Sequence, residues 1–411
     1  MTQNSTTTGV AIIGAGPAGS LAAKRLVDAG HRVTVVESAR HPRFSIGESL
    51  LPFSMIPLER AGLLPEIEEA GFQIKTGARF VRGAQTTDID FRQKFEPGWG
   101  TTFQVQRARF DQILADAAER AGAEMFYDTQ VVDADISAQN ASLTLRNEDG
   151  RTTCLNADFV LDGSGFGRVL PRLLGLETPS DLPFRGALFT HIEDGITDPD
   201  FDRSKIVITV HPQHPEVWYW LICFSDGTSS VGVVLGAAHD LGEGGDDHTD
   251  LLWKWVNDTD LGRLLKDARA VRPTGCIRGY SKNVKSLHGP RFALLGNAAE
   301  FLDPVFSSGV TIALHSADLA CEVLLRQLEG TEVDWDRDFA IPLKSGVDVF
   351  RTFVTSWYDQ SLQEVIFNHP SEINNVTRMV TSILAGYAWN RDNPLVKKPA
   401  SGLAAIRKMV A

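Results

Sequence analysis

Cysteine is scarce in this chain of 411 residues, which contains four cysteines and no C-x-x-C pair. Four well-separated cysteines indicate neither a disulfide framework nor a cysteine-ligated zinc site, and we expect no metal. This usage is typical of a reducing cytoplasm. The four positions are Cys154, Cys223, Cys276 and Cys321.

Basic charge is also in short supply, because 40 Lys and Arg oppose 52 Asp and Glu to give a net charge of −12. No basic cluster is interleaved with aromatics, so nucleic-acid binding is not expected. The N-terminus MTQNSTTTG lacks a basic leader, and no apolar run approaches the roughly 18 residues of a membrane span. We expect a cytoplasmic protein without a membrane partner. The basic residues among 397–408 indicate a solvated terminal helix rather than an anchor.

The most informative stretch is VAIIGAGPAGSLAAKRLVDAGHRVTVVES, which begins at Val10 and reads as strand, glycine turn, helix and strand. Gly14, Gly16 and Gly19, with Ala18 among them, fit the G-x-G-x-x-G pattern that binds the pyrophosphate of a dinucleotide. Glu37 ends the second strand, where its carboxylate can accept hydrogen bonds from ribose hydroxyls and would repel a 2′-phosphate. The pattern therefore fits FAD or NAD but not NADP.

The rest of the chain predicts an α/β fold. We expect a Rossmann-like cofactor-binding domain over residues 1–330, interleaved with an antiparallel substrate sheet, and a helical region over 331–411. The substrate sheet takes three strands from about 72–106 and further strands from 182–280. Helices are predicted at 54–71, 107–121 and 246–265.

Two later turns repeat the pattern of a strand that ends in glycine before a helix. The first contains Asp162 and Gly163, and the second contains Gly296 and Asn297. Because such turns gather at the carboxyl edge of a parallel sheet, we expect all three beside one cofactor. The polar loop ARHPRFSIGESLLP, which follows Glu37, is predicted to lie over that cofactor.

These three elements resemble those of the glutathione-reductase-like flavoprotein monooxygenases over about the first 330 residues. The resemblance implies FAD, although Asn297 stands where the family has Asp; an amide still hydrogen-bonds ribityl hydroxyls without charge. Arg107, in QVQRARFDQIL, matches the family arginine near the ribityl or pyrophosphate portion. The cofactor-binding residues implied are Gly14, Gly16, Ala18, Gly19, Glu37, Ser49, Arg107, Val131, Asp162, Gly163, Gly296, Asn297, Asp303 and Pro304.

Within that group the chain resembles the flavin-dependent halogenases more closely. The segment FLDPVFSSG matches F-x-x-P-x-x-S-x-G, with Phe301 and Pro304 in place. By this resemblance, the backbone N–H groups of Ser308 and Gly309 hold a halide beside the flavin. A helix start presents unpaired donors and a positive dipole end, which suits a small anion. Without the other segments, an ordinary helix cap would explain these residues.

Lys75 in KTGARF matches the halogenase lysine, and Glu48 in IGESLLP matches the loop glutamate beside the flavin. A buried primary amine can hydrogen-bond hypohalous acid or take up its halogen, and burial favours the neutral, nucleophilic form. Taken alone, each residue fits a solvated surface side chain. The resemblance makes both catalytic.

VWYWLICF matches W-x-W-x-I of the halogenase motif through Trp218, Trp220 and Ile222, while Val217 and Cys223 replace the family's flanking Gly and Pro. The resemblance places Trp218, Trp220, Phe301 and Phe306 along a tunnel that keeps organic molecules from the flavin. Tryptophan halogenases carry Glu at the position of Phe306, which favours a phenol or pyrrole substrate here.

The mechanism implied uses FADH2 and O2 to form a flavin hydroperoxide, which a halide attacks to give hypohalous acid for Lys75. No second nucleotide-binding pattern is visible, so a separate flavin reductase is expected to supply FADH2. The aromatic substrate is free or tethered to a carrier protein.

Four other interpretations stay open. An aromatic hydroxylase of the same fold would need neither halide nor Lys75. The same holds for a related flavin reductase that acts on isoprenoid double bonds. His248-Thr249-Asp250 contains two ligands of a non-haem iron site. The replacements at Val217 and Cys223 are also compatible with an FAD-binding regulator that lacks activity.

Overall fold

A computed structural model describes residues 5–242, 247–368 and 373–410. Within these residues the strands follow the alternation and β-branched runs of the sequence. In chain order they are β1 (Ser5–Ile13), β2 (Val33–Val36), β3 (Gln73–Lys75), β4 (Gly77–Arg82), β5 (Gln85–Asp90), β6 (Thr102–Gln104), β7 (Glu124–Phe126), β8 (Thr129–Ile136), β9 (Ala141–Asn147), β10 (Thr152–Asp162), β11 (Glu177–Thr178), β12 (Arg185–Glu193), β13 (Lys205–Val210), β14 (Trp218–Cys223), β15 (Thr228–Gly236), β16 (Arg269–Ala270), β17 (Gly275–Arg278), β18 (Asn283–Val284), β19 (His288–Gly289) and β20 (Phe292–Leu294).

The helices begin at the glycine, proline and polar positions that favour helix starts. They are α1 (Pro17–Asp28), α2 (Met55–Arg60), α3 (Leu64–Glu69), α4 (Arg107–Ala121), α5 (Val169–Leu173), α6 (Thr249–Asn257), α7 (Asp260–Leu264), α8 (Ser308–Leu328), α9 (Ile341–Tyr358), α10 (Ser361–Phe367), α11 (Asn375–Leu384), α12 (Pro394–Lys397) and α13 (Pro399–Val410). The helix expected over 246–265 is therefore two helices, and its first residue, Asp246, lies outside the described residues.

The first sheet has the strand order β19-β20-β10-β1-β2-β7, and β9 and β8 extend it beside β10. Its central strands β20, β10, β1, β2 and β7 are parallel, as the strand–turn–helix pattern predicts. Helix α1 packs against α4 and α8 on one face. This sheet is the Rossmann-like half of the fold.

The second sheet has the order β16-β12-β15-β14-β13-β4-β5, and β17 pairs with β12. The predicted antiparallel pairing is confirmed for β12, β15, β14 and β13, whereas β4 joins the sheet parallel to β13, from Lys205 opposite Gly77 to Val210 opposite Arg82. These two strands come from segments more than a hundred residues apart, so no hairpin dictates their relative direction.

The segment 72–106 contains four strands where the sequence indicated three. The stretch FQIKTGARFVRG, expected as one strand, is two strands, β3 and β4, and β3 pairs with β6 as a separate two-stranded sheet instead of joining the substrate sheet. A three-residue strand carries too little periodicity to be recognised alone. Lys75, the last residue of β3, is fully buried.

One face of the second sheet looks toward the first sheet, and its other face is covered by α6 and α7. Alternate residues of β14 divide between these faces: Trp218 and Trp220 belong to the core shared with α8 and α9, whereas Tyr219 and Leu221 pack with Leu252. This division places the tryptophans between the sheets.

Helix α8 is long and apolar enough to span a membrane by length and composition, with a mean hydropathy of 1.3, although no such run was expected. In the fold it is a core helix, because 67% of that window is buried inside the protein. The C-terminal helices α9–α13, expected from the lack of strand signals, pack over α8, β4 and β5. Thr87 of β5 donates a hydrogen bond to the Ile366 carbonyl of α10 at 3.0 Å.

Candidate active site

The three glycine turns meet at the carboxyl edge of the first sheet, as predicted. In register, Ile13 lies beside Val36 and Asp162, and Asp162 lies beside Leu294. All four residues end their strands, so the turns that follow them open on the same side.

The first turn is shaped to admit a pyrophosphate. Gly14 has φ +91°, a conformation that favours glycine, and a Cβ there would lie 2.8 Å from the Gly163 carbonyl oxygen. A Cβ on Gly16 would meet nothing closer than an Arg43 nitrogen at 3.7 Å, so this backbone is open to a ligand. Gly19 has a packing role, because a Cβ there would lie 1.9 Å from the Gly14 oxygen.

Glu37 is buried at the end of β2 and faces the first turn. Its carboxylate accepts hydrogen bonds from the amides of Ala15 at 2.8 Å and Ala39 at 3.1 Å, and from Arg43 at 3.2 Å. Burial alone would raise the pKa of Glu37, but the charge of Arg43 and these hydrogen bonds hold it below the usual value. The carboxylate is therefore ionised. Arg43 was not predicted as a site residue. The signal that could have identified it is its position in the loop after β2, which was predicted to lie over the cofactor.

A single elongated cavity of about 680 Å³ runs from Glu37 to the second sheet. Besides Arg43 it is lined by residues from most of the segments singled out in the sequence, but by none from KTGARF. Those predicted residues are Gly14, Gly16, Ala18, Glu37, Glu48, Ser49, Arg107, Val131, Gly163, Trp218, Trp220, Asn297, Phe301, Pro304 and Gly309.

Other predicted residues lie behind this lining. Asp162 is buried and accepts hydrogen bonds from the amides of Ser164 at 2.9 Å and Leu170 at 2.7 Å, which fixes the second turn. Gly296 has φ +52°, and a Cβ there would lie 2.8 Å from the Ala313 side chain. Gly19, Asp162, Gly296, Asp303, Phe306, Ser308 and Lys75 do not line the cavity.

Arg107, the first residue of α4, is held rigidly beneath the loop that covers the cavity. Its guanidinium donates to both carboxylate oxygens of Asp111, at 2.7 and 2.9 Å, and to the Ile46 carbonyl at 2.7 Å. A bidentate ion pair of this kind is specific in geometry. It fixes the loop at the point where Glu48 and Ser49 enter the cavity wall.

Lys75 is fully buried, and its ammonium group is one hydroxyl away from the cavity. Nζ donates to Ser49 Oγ at 2.7 Å and to the Leu50 carbonyl at 2.9 Å, and it lies 5.1 Å from the centre of the Phe91 ring. Ser49 Oγ also accepts a hydrogen bond from Ser307 Oγ at 3.1 Å, and both serines line the cavity. Burial lowers the pKa of Lys75 to about 7.

Glu48 is buried in the cavity wall and is paired with a residue that the sequence did not reveal. Its Oε1 lies 2.5 Å from Nε2 of His191, on β12. The imidazole packs edge-on against Phe44 and Phe224. A lone histidine in a strand carries no sequence signal, so this pair emerged from the fold.

Trp218, Trp220 and Ile222 project into the cavity from one face of β14. The replaced flanks Val217 and Cys223 are fully buried on the opposite face, with the cluster under α6 and α7. These replacements therefore leave the cavity wall untouched.

The start of α8 forms the wall opposite the tryptophans. Ser307 has φ +57°, a strained conformation for a residue with a Cβ, and it turns the chain into α8. Gly309 lines the cavity, whereas Ser308 is buried directly behind it. The first amides of a 21-residue helix thus lie beside the cavity, where the positive end of the dipole attracts an anion.

Asp303 belongs to a buried network that sequence analysis missed. Its carboxylate accepts from the hydroxyls of Tyr280 at 2.9 Å and Tyr358 at 2.8 Å, and Trp218 Nε1 donates to the Tyr358 oxygen at 3.0 Å. Burial raises the pKa of Asp303. Since Tyr280 and Trp218 line the cavity, the network ties the wall to the C-terminal helix α9. Phe306 packs on the same helix, against Phe353 and Trp357.

A Rossmann-like sheet with a glycine cradle, a ribose-binding carboxylate and an elongated cavity reaching a second sheet defines an FAD-binding flavoprotein. The residues present fit FAD: the open backbone at Gly16 suits the pyrophosphate, and Glu37 suits the adenosine ribose. Asn297 lines the cavity at the third turn, where an amide can meet ribityl hydroxyls.

Comparison with known proteins agrees with this class. The FAD binding domain family matches residues 7–336, most of the chain, so the protein belongs to that family. The 1H-pyrrole-2-carbonyl-[peptidyl-carrier protein] chlorinase of Pseudomonas fluorescens is 29% identical over 85% of this chain and 83% of its own length. The tryptophan 2-halogenase of Chondromyces crocatus is 30% identical over 81% of this chain, which spans 63% of that protein.

Among solved structures, a flavoprotein/dehydrogenase from Cytophaga hutchinsonii superposes with a TM-score of 0.93 and 38% identity, over 98% of this chain and 99% of that one. Together with the halogenase relatives, this superposition places the protein within the FAD monooxygenase superfamily, as one of the flavin-dependent halogenases. These enzymes are FAD-dependent oxidoreductases.

Proposed function

We propose that this protein uses FADH2, O2 and a halide to halogenate an electron-rich aromatic ring, a phenol or a pyrrole. The observation that carries the proposal is the fully buried Lys75, whose ammonium reaches the wall of the cofactor cavity through Ser49. Burying an amine without a carboxylate partner lowers the stability of a protein. Such a buried amine is kept where it has a function.

Reduced FAD with O2 supplies the oxidising equivalent that turns halide into hypohalous acid. The start of α8 holds the halide, because the first N–H groups around Ser308 and Gly309 lack partners within the helix. Ser307, at φ +57°, turns the chain into this helix, and Ser307 and Gly309 line the cavity. Trp218 and Trp220 also line the cavity, and their role in this proposal is to keep organic molecules away from the flavin.

Lys75 then directs the halogen. The neutral amine takes the halogen from hypohalous acid and releases water, and the halogen then passes to a ring carbon while the ring proton returns to the amine. With a pKa of about 7, a large fraction of Lys75 is neutral near neutral pH. Ser49 and Ser307 provide the hydroxyls along which the small acid moves from the cavity to the amine.

Glu48 and His191 manage a proton at the cavity wall. Oε1 of Glu48 and Nε2 of His191 lie 2.5 Å apart, within hydrogen-bond distance. Glu48 can therefore accept a proton from, or return one to, the reacting oxygen species while His191 keeps the carboxylate oriented. Glu48 is the catalytic member of the pair, and His191 is a positioning residue.

The substrate class follows from the relatives and from position 306. The related pyrrole chlorinase acts on a carrier-bound pyrrole. The match with this chain covers 83% of that chlorinase but only 63% of the tryptophan halogenase, so the chlorinase is closer to this chain in length. Phe306 is an apolar residue packed on α9, so no carboxylate is offered there for an indole N–H. We propose a phenol or pyrrole, either free or tethered to a carrier protein.

A separate reductase is the partner we propose for cofactor supply, with a cytoplasmic setting in which the four cysteines stay reduced. In this proposal FADH2 made elsewhere enters beside the loop after β2, part of which is exposed.

The experiment is a reaction of the purified protein with a flavin reductase, FAD, NADH, bromide and a panel of phenols and pyrroles, read by mass spectrometry. Half of the panel is also offered as carrier-protein thioesters. Brominated product that disappears when bromide is omitted supports the proposal. Oxygenated product that is independent of halide would instead identify a hydroxylase, and rapid reduction of bound FAD by NADH alone would remove the need for a reductase.

A further inference from the structure

Three of the ten histidines in the chain meet beside the second sheet, and none of them lines the cofactor cavity. His211 and His214 lie in the connection between β13 and β14, in the sequence HPQHPE, and His239 follows β15. Glu216 completes the group. Histidines are rare enough that such a gathering around one carboxylate needs an explanation.

Three of these residues point their donor atoms at one spot. One ligand atom each from His214, Glu216 and His239 lie within 4.8 Å of one another. Nε2 of His239 is 2.9 Å from Oε1 of Glu216, and the imidazoles of His214 and His239 have their centres 5.0 Å apart, edge to face. The cluster of His214, Glu216 and His239 is called the H-E-H cluster below.

The surroundings hold these side chains in place. The Trp255 ring of α6 packs edge-on against His214 and His239, with centres 6.1 and 5.2 Å apart. Nδ1 of His211 accepts the backbone N–H groups of Gln213 and His214, both at 3.1 Å, which fixes the loop. Support of this kind behind the donor atoms is typical of built metal sites.

Charge and access are also suitable. Glu216 adds a carboxylate to the two imidazoles, and its negative charge suits a divalent cation. The side chain of Glu216 is 35% exposed and that of His239 is 14% exposed, so an ion can enter from solvent.

We propose that the H-E-H cluster binds a divalent transition-metal ion of the zinc class, coordinated by two imidazoles and one carboxylate with water in the remaining position. Two imidazoles with one carboxylate favour Zn²⁺ over Mg²⁺ or Ca²⁺, which prefer oxygen ligands. Zinc–ligand distances of about 2.0–2.1 Å place neighbouring ligand atoms about 3.3 Å apart, so the side chains close by only about 1.5 Å.

The metal serves the structure by tying the β13–β14 connection to the segment after β15. Trp218 begins β14 two residues after Glu216, and the loop is also held by Gln363, which donates to the Pro215 carbonyl at 2.9 Å. The site therefore stabilises the strand end from which Trp218 reaches the cavity, without contacting the cavity.

The test uses the full-length FAD-loaded protein, stripped of metal by a chelator and dialysed. Titration with Zn²⁺ is followed by calorimetry, and with Co²⁺ by its visible absorption. We expect one saturable site per chain and a rise in Tm of a few degrees when free Zn²⁺ exceeds Kd about 100-fold. Mg²⁺ and Ca²⁺ at the same concentrations should give neither effect.

Variants assign the site. His214→Ala and His239→Gln should each weaken Zn²⁺ binding more than about 100-fold, since they remove a ligand. His31→Ala, elsewhere on the molecule, should bind Zn²⁺ like the parent protein. Retained FAD absorbance shows that a variant is folded, and His239→Gln preserves volume in case His214→Ala does not fold. The proposal is overturned if His214→Ala and His239→Gln bind Zn²⁺ as tightly as the parent protein does. It is also overturned if the parent protein shows no saturable binding.

Discussion

The two ends of the cofactor cavity are built differently. The glycine turn and the carboxylate of the adenine end come from a single contiguous stretch, Gly14 to Glu37. The flavin end brings together Glu48, Ser49, Trp220 and the start of α8, which come from four separate segments. A dinucleotide-binding turn needs only local backbone geometry. A chamber that separates oxidant from substrate needs walls from several segments, which the tertiary fold brings together. The two ends should therefore respond to mutation independently.

The largest effect is expected at the flavin end. Lys75→Ala should lower halogenation by about 10²–10⁴-fold, because it removes the group that receives the halogen. FAD content and peroxide release should stay at the level of the parent protein, since Lys75 does not line the cofactor cavity. Product is measured by mass spectrometry with bromide present.

The matched control for this variant is Lys266→Ala, whose side chain is 73% exposed and which should halogenate normally. If Lys75→Ala retains most of the activity, the proposed role of Lys75 is wrong, even where the protein remains a flavoenzyme.

The converse break is made at the adenine end. Gly14→Ala should weaken FAD binding by about 10–100-fold, because a Cβ at φ +91° is strained by about 1–3 kcal/mol and crowds Gly163. Binding is measured by flavin fluorescence titration. Gly30→Ala, also at positive φ but with nothing near its Cβ, controls for backbone strain. Activity at saturating FAD should recover in Gly14→Ala, and a loss that FAD cannot restore would contradict the independence of the two ends.

A pH profile sharpens the comparison at Lys75. Since burial lowers its pKa to about 7 from 10.5, the amine is protonated below pH 7 and neutral above it. Halogenation should rise about tenfold per pH unit below pH 7 and level off above it, whereas FAD binding stays flat.

The same shift affects stability. Between pH 7 and 10.5 the unfolded chain binds the proton that the folded Lys75 releases, so the free energy of unfolding should rise with pH across this window. Urea denaturation at pH 7 and 9 should show this rise in the parent protein and a smaller one in Lys75→Met. Identical rises would mean that Lys75 titrates normally.

The smallest effect is expected at the positioning residue His191. His191→Asn leaves Glu48 in the cavity wall without its 2.5 Å partner, and halogenation should fall about tenfold, less than the roughly 10²–10⁴-fold cost of removing a proton-transfer group, because Glu48 itself remains. More of the reduced flavin should then end as free peroxide, measured as the ratio of peroxide to halogenated product. An unchanged ratio would make the Glu48–His191 pair a structural contact.

The elements with strong local signals were predicted correctly from the sequence. The strand–turn–helix of α1, the helix Arg107–Ala121 and the gathering of the three glycine turns follow from periodicity and from the geometry of parallel sheets. The separate β3–β6 sheet and the parallel β4–β13 pair were not predicted, since pairing between distant strands depends on contacts that no short window contains. Arg43, His191 and Tyr358 were missed for the same reason.

The sequence alone determined the dinucleotide-binding strand–turn–helix, the carboxylate of Glu37 after it and the motifs of a flavin-dependent halogenase. Each of these depends on residue types at fixed spacing along the chain. Only the tertiary structure decided that Lys75 is buried one hydroxyl from the cavity, that Glu48 pairs with His191, and that His214, Glu216 and His239 meet. Burial and proximity set the pKa of an amine and the donors around an ion, and both arise where segments distant in sequence are packed together.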